Sequence, residues 1–393
     1  MDPVLNPYSP GAGRRPAALV GRDGQRDGWD VALRRTEAGR GARSMVLYGL
    51  RGVGKTVLLA ELAKQARDRA WVTAKFEAGS GKALRPSLGE ALHGPLSDLA
   101  RPGVGTRVLR ALKTALSFKA SYDTAGTWNF GLDLTGQPSG GADTGSIEAD
   151  VSKLMRDVSA AAGEEGVGLA LLVDEAQDLT SEELTALCAA IHLAGQDGWP
   201  LLVGLAGLPS LPRILAEAKS YSERLFEFEH IRELDEDLAR SAVVEPAEAE
   251  DVAWEPDALA LVIRETSGYP YFLQQLGQDT WNLAEGSPIT LADARAGAER
   301  GRAALDTGFF RARWDRATRA EQRYLRAMAQ DGDAGSQSGT VAERLGRKVT
   351  ALGPVRASLI AKGLVYAPEH GVVAFTVPGM AAFVTRQSAE NGA

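Results

Sequence analysis

Gly49-Leu50-Arg51-Gly52-Val53-Gly54-Lys55-Thr56 places glycine, glycine, lysine and threonine at the spacing G-x-x-x-x-G-K-T. Glycine accepts backbone angles that turn successive N–H groups inward, toward an anion. The Lys55 ammonium can then reach the outer phosphates of a nucleoside triphosphate, and the Thr56 hydroxyl can hold a magnesium ion. In a chain with 44 glycines a chance match must be weighed. The flanks argue against it. Ser44 to Tyr48 reads as a buried strand entering the loop, and Val57 to Leu62 as a helix leaving it. Such a helix aims its N-terminal dipole at the phosphates.

A second group of residues supplies the remaining chemistry. The apolar run Gly168 to Val173 reads as a central parallel strand and ends in Asp174-Glu175-Ala176-Gln177. Carboxylates at the C-terminal tip of such a strand lie where ligands bind in α/β sheets. Asp174 is expected on the magnesium and Glu175 as the base that polarises the attacking water. Alone, the same residues fit a solvated strand end, since Thr180-Ser181-Glu182-Glu183 is also a helix-capping signature.

These residues need a scaffold. At 393 residues two or three domains are expected. Residues 1–14 read as an extended arm. Further strands are expected at Ala70 to Phe76, Pro200 to Gly207 and Leu225 to Ile231, with helices between them. The alternation in residues 118–134 predicts an inserted hairpin that either touches a partner or packs on itself. Beyond residue 232 the spacing is helical. The expected fold class is α/β: a three-layer P-loop domain over 15–232, a helical lid over 233–305 and a winged helix-turn-helix over 306–393.

The last module begins with an amphipathic helix, Thr318 to Gln330, with Tyr324, Leu325 and Met328 inward. Helices at Gly339 to Leu345 and Thr350 to Lys362 and two strands around Pro368 to Gly371 complete the winged pattern. Pro354 is expected in the first turn of the third helix. Leu352, Val355, Leu359 and Ile360 are expected inward. Arg347, Lys348, Arg356, Ser358 and Lys362 are then left for a recognition surface on double-stranded DNA. From residue 311 onward 12 Lys and Arg stand against seven Asp and Glu, a balance of +5, which leaves −12 for the rest of a chain of net −7. A basic module on an acidic body is a pointer to DNA. A module that only packs against protein remains the alternative.

The single cysteine, Cys188, excludes an internal disulfide, and four scattered histidines show no zinc pattern. With no long apolar run or signal peptide, a cytoplasmic protein without membrane contact is expected.

The order P-loop, DEAQ strand, further strand, helical lid and winged helix resembles AAA+ ATPases. It is most similar to origin-recognition initiators and to archaeal-type ATPases near the signal-transduction (STAND) ATPases. The resemblance runs over about residues 15–388 and implies ATP and Mg²⁺ as ligands. Leu19-Val20-Gly21-Arg22 is similar to that family's opening segment, which lies against adenine. Nucleotide contacts are thus implied at Val20, Gly21, Arg22, Gly49, Gly52, Val53, Gly54, Lys55, Thr56 and Val57, with Lys55 also in catalysis. Arg224 stands where such proteins carry an arginine finger for the neighbouring subunit, which implies a homo-oligomer. Gly268-Tyr269-Pro270 resembles a lid element that abuts adenine through Pro270. Two departures are plain. The strand at 200–207 ends Ala206-Gly207-Leu208-Pro209 without a polar residue to sense the γ-phosphate. No arginine follows Gly268 where the lid of this family supplies one. The expected function is a slowly hydrolysing ATP switch that couples nucleotide state to winged-helix orientation and to DNA or partner engagement. The alternative is a STAND-type regulator or interaction platform whose winged helix does not touch DNA.

Overall fold

The computed structural model describes residues 1–79, 81–99, 111, 114–115 and 144–390. The hairpin expected at 118–134 lies outside the described residues. The first domain runs α1 (Asp23–Glu37), β1 (Ser44–Tyr48), α2 (Lys55–Asp68), β2 (Val72–Glu77), α3 (Leu84–Leu99), α4 (Ile147–Glu164) and β3 (Leu169–Asp174). It continues with α5 (Ser181–Asp197), β4 (Leu201–Gly207), α6 (Leu211–Ala218), α7 (Ser222–Leu225) and β5 (Phe226–His230). The strands form one sheet in the order β2-β3-β4-β1-β5, every pairing parallel.

Strict alternation of apolar residues explains the three layers. Met45, Leu47, Ala170, Leu172, Leu202 and Ala206 face one side and pack with α1 and α2. Val46, Leu171, Val173, Val203 and Leu205 face the other and pack with α3 to α6. A strand buried on both faces has no room for polar residues until its tip. This is why the carboxylate of β3 appears at its C-terminal end.

The lid comprises α8 (Glu236–Glu248), α9 (Pro256–Thr266), α10 (Pro270–Leu283) and α11 (Leu291–Ala304). Thr290 and Asp293 form the reciprocal cap of α11. The N-terminal arm is extended apart from one turn at Pro3–Leu5, and it is tied to this lid. Tyr8 is 1% exposed; its hydroxyl donates to the Val243 carbonyl, and its ring lies edge-on to Trp254 and Trp281.

A π-helical turn, Leu305–Phe310, joins the lid to the C-terminal module. That module contains α12 (Arg311–Trp314), α13 (Arg319–Ala329), β6 (Ser336–Gln337), α14 (Ser338–Arg344), α15 (Val349–Ala361), β7 (Val365–Tyr366), β8 (Val372–Phe375) and α16 (Met380–Glu390). Three helices and the antiparallel sheet β6-β8-β7 make a winged helix. Tyr324, Leu325 and Met328 are buried as the spacing predicts. Two expectations about α15 fail. The helix runs Val349–Ala361 and Pro354 falls in its second turn, where its missing N–H leaves the Thr350 carbonyl without a helical donor. Ile360 is 36% exposed and borders a cleft, while the adjacent Leu359 is the residue turned into the core.

Candidate nucleotide site

The P-loop bridges the tip of β1 and the start of α2. Gly52 and Gly54 adopt φ of +90° and +95°, angles that a side chain would strain. Gly49 has a different reason to be glycine. A Cβ there would sit 2.1 Å from the Ile231 carbonyl oxygen, so the site needs close approach of β5. The Lys55 amine donates to the Gly49 and Leu50 carbonyls at 2.9 and 2.8 Å and is buried. Burial lowers its pKa to about 8, against the opposing pull of Glu175 and Asp174.

At the tip of β3 the Asp174 carboxylate accepts from the Glu175 N–H at 2.9 Å. Glu175 itself has φ +49°, left-handed for a non-glycine residue, a strain of the order of 1 kcal/mol or more that is characteristic of functional sites. Its two oxygens accept from Arg51 at 2.6 and 3.3 Å, and Gln177 donates to one of them at 2.7 Å. The other end of Gln177 accepts from the Leu208 N–H at 2.9 Å. Gln177 thus occupies the end of β4, and a Cβ on Gly207 would come within 2.6 Å of its oxygen. The end of β4, which carries no polar side chain of its own, is met there by Gln177 of the DEAQ segment. Glu77 lies opposite Asp174 in the sheet register. Burial first, then the charges of Asp174 and Glu175, raise its pKa.

Arg51, Gly52, Gly54, Lys55, Glu77, Asp174 and Glu175 line one cavity of about 520 Å³, within the range of small-molecule sites, while Gln177 borders the adjoining cleft. Val20, Arg22, Gly52, Val53, Gly54, Lys55, Thr56, Val57, Asp174, Glu175 and Pro270 all border it. Gly21 does not: its Cβ position meets Leu238 of α8 at 2.7 Å, so it packs the lid. Gly49 lies behind the loop. The Arg22 guanidinium is spent on the carbonyls of Val53 and Arg232, at 3.1 and 2.7 Å, and braces the P-loop rather than facing solvent. Arg224 is exposed on α7 and is not part of this cavity wall.

The residues present fit a magnesium nucleotide. Two positive-φ glycines, a buried amine, the Thr56 hydroxyl and the Asp174 carboxylate share one wall. Among the described residues no group of three His, Cys, Asp or Glu makes a metal cage. Magnesium bound through phosphates and water needs none.

Residues 18–203 match the AAA ATPase domain family. This part of the chain is an AAA ATPase domain. Residues 307–384 match a family described as a domain of unknown function. No curated protein matches the chain. A Walker-type ATPase of Pyrococcus abyssi superposes with a TM-score of 0.60 at 15% identity, covering 97% of this chain and 99% of its own. At that identity the likeness is one of fold. Cdc6p of Pyrobaculum aerophilum (TM-score 0.46, 15% identity, 100% and 99% covered) and the RuvB Holliday junction branch migration motor of Thermotoga maritima (0.46, 15%, 92% and 96%) also match.

The AAA ATPase cavity also has walls that motif reading missed. Ser9 to Arg14 of the arm and Phe309 and Arg313 of the π-turn and α12 border it. The Arg51 N–H donates to the Thr376 carbonyl of the winged module at 3.0 Å. No local pattern announces these contacts; paired phenylalanines beside arginines at 309–313 are the one compositional hint.

The expected DNA surface is only partly free. Lys362 is paired with Glu321 at 2.6 Å and donates to the Arg316 carbonyl. Arg356 is half-buried and donates to Val372 of β8, and Ser358 donates to Glu321. These three were expected to be free and are not, because α15 packs its charged side against α13 and β8. Arg347 and Lys348 are exposed. Among the described residues no helix is long and apolar enough to cross a membrane.

Proposed function

We propose that the protein is a slowly hydrolysing ATP switch whose nucleotide state sets the position of the winged module. The observation that carries this reading is the double use of Arg51. Its backbone N–H holds the winged module at Thr376, while its side chain holds Glu175. The P-loop N–H groups and Lys55 would bind the β- and γ-phosphates. Glu175 would accept the proton of the attacking water. Magnesium, held by Thr56 and Asp174, would offset charge on the β- and γ-oxygens. With Arg51 and Gln177 on its two oxygens, Glu175 has little freedom to take a proton, which agrees with slow turnover until the module shifts. Arg224, exposed and outside its own cavity, would serve a neighbouring copy. Pro270 and Val20 would border the base.

A DNA-engaged form is the second reading, supported by the exposed Arg347 and Lys348. The pairing of Lys362 and the tucked position of Arg356 favour a protein partner or a self-contained switch. The Glu175→Gln chain tests the main reading. It should bind ATP as the wild type does and hydrolyse it at least about 100-fold more slowly, the usual loss on removing a general base. Wild-type turnover in this variant would remove Glu175 from the mechanism.

A further inference from the structure

We propose that Arg313, from the segment joining the lid to the winged module, is a phosphate-reading residue of the nucleotide site, acting within its own chain. The inference rests on the ATP-site reading above and adds a residue to it.

The cations of the cavity wall differ in what they already hold. Lys55 is bonded to two carbonyls, Arg22 to three, and Arg51 to Glu175. Arg14 is exposed on the arm. Arg313 is half-buried and forms no ion pair with a described residue; one of its terminal nitrogens donates to the Phe309 carbonyl at 2.6 Å. Its guanidinium carbon lies over the Phe309 ring, 4.0 Å from the centroid. Phe309 in turn stacks on Tyr271 at 4.8 Å, and the Tyr271 N–H meets the Gly52 carbonyl of the P-loop at 3.3 Å. The guanidinium is therefore held in place by a stack that starts on the P-loop.

Burial first, and then the charge of Arg51, lower its pKa to about 10, so it stays charged at neutral pH. A half-buried guanidinium beside a second arginine, with no carboxylate of its own, is unfavourable until an anion arrives. The planar fork of arginine fits two phosphate oxygens. Arg313 lies on the side of the cavity shared with Arg51 and Glu175, where the terminal phosphate belongs. It also borders the adjoining cleft formed with Ile360 to Ala367 of the winged module. The lid lacks an arginine after Gly268, and Arg313 supplies the charge from the next segment of chain.

The test compares full-length wild type, Arg313→Ala, Arg313→Lys and Lys55→Ala by calorimetry with Mg²⁺, using ADP and the β,γ-imido analogue of ATP. Arg313→Ala should weaken the triphosphate analogue about 10- to 100-fold, the range for a lost hydrogen bond to a charged group, and ADP less than about threefold. Arg313→Lys should recover part of the triphosphate preference. Equal weakening of both ligands, or none, would overturn the role of Arg313 while leaving the nucleotide site standing. Wild type that binds neither ligand, like Lys55→Ala, would remove the site reading itself and the proposal with it. Because the readout is the ratio of two affinities in one folded chain, a general loss of stability would not imitate it.

Discussion

The nucleotide cavity and the winged module are both places where cations gather, and they differ in what answers those cations. In the cavity, Lys55, Arg22 and Arg313 are held by neutral carbonyls. Their positive charge is positioned but not cancelled, which is what an anion site requires. In the winged module, Lys362 meets Glu321, Arg344 meets Asp331 and Arg386 meets Asp306. The outward residues of α15 include Val349, Ala351, Gly353, Pro354, Ala357 and Ile360, none of them charged. A net balance of +5 therefore does not by itself make a basic surface. The partner of each cation decides whether it can take a phosphate.

Lys55→Ala is the largest break in this contrast. It should abolish nucleotide binding, seen as a loss of calorimetric heat. Two hydrogen bonds to carbonyls also go, so the empty protein should lose about 1–3 kcal/mol of stability. Retained affinity would mean that the uncancelled charge of the cavity is not its working part.

Arg51→Ala sharpens the comparison, since Arg51 is the one cavity cation that a carboxylate does cancel. Freeing Glu175 should raise basal hydrolysis about two- to fivefold, in line with about 0.5–1 kcal/mol for a partly exposed ion pair. A steady-state phosphate-release assay would show it; a fall in rate would mean that Arg51 serves the phosphates instead.

On the winged module the prediction is smaller and opposite in kind. If DNA binds at all, Arg347 and Lys348 should account for a slope of log K against log salt of about −2. The double change to Ala should remove that slope, and Arg356→Ala should leave it unaltered, as read by a salt series with labelled duplex. A loss of slope on changing Arg356 would show that this residue leaves its β8 contact to reach a phosphate.

The smallest effect concerns pH. Burial opposes ionisation of Glu321, but donors from Lys362, Ser358 and Thr318 outweigh it and bring its pKa to about 2. Its contribution to stability is full above the unfolded value of about 4.3 and fades as pH falls toward the folded one. Thermal midpoints should therefore drop between pH 5 and pH 3, and less so in Glu321→Gln. An identical drop in both would place the acid sensitivity elsewhere.

Much of the ATPase half could be read without coordinates. Loop spacing, an apolar strand ending in Asp174-Glu175, and caps at Thr180 and Thr290 are local signals, and both caps form as read; the cap at Thr318, read as the first residue of its helix, emerged only with the structure. Glycine roles were only half visible. Gly52 and Gly54 follow from loop conformation, whereas Gly49 and Gly21 are needed for contacts with Ile231 and Leu238 that lie far along the chain. The charge of the C-terminal module could be counted, but its cancellation could not.

The amino-acid sequence by itself determined the three-layer domain, the P-loop chemistry and the order of lid and winged module, because periodicity and motif spacing act over a few residues. Only the tertiary structure decided which cations remain available to an anion. It paired Lys362 with Glu321, tucked Arg356 under β8, tied Arg51 to both Glu175 and Thr376, and brought Arg313 to a loop more than 250 residues earlier in the chain. Electrostatic outcome depends on distance and burial between residues remote in sequence, and no local pattern encodes either.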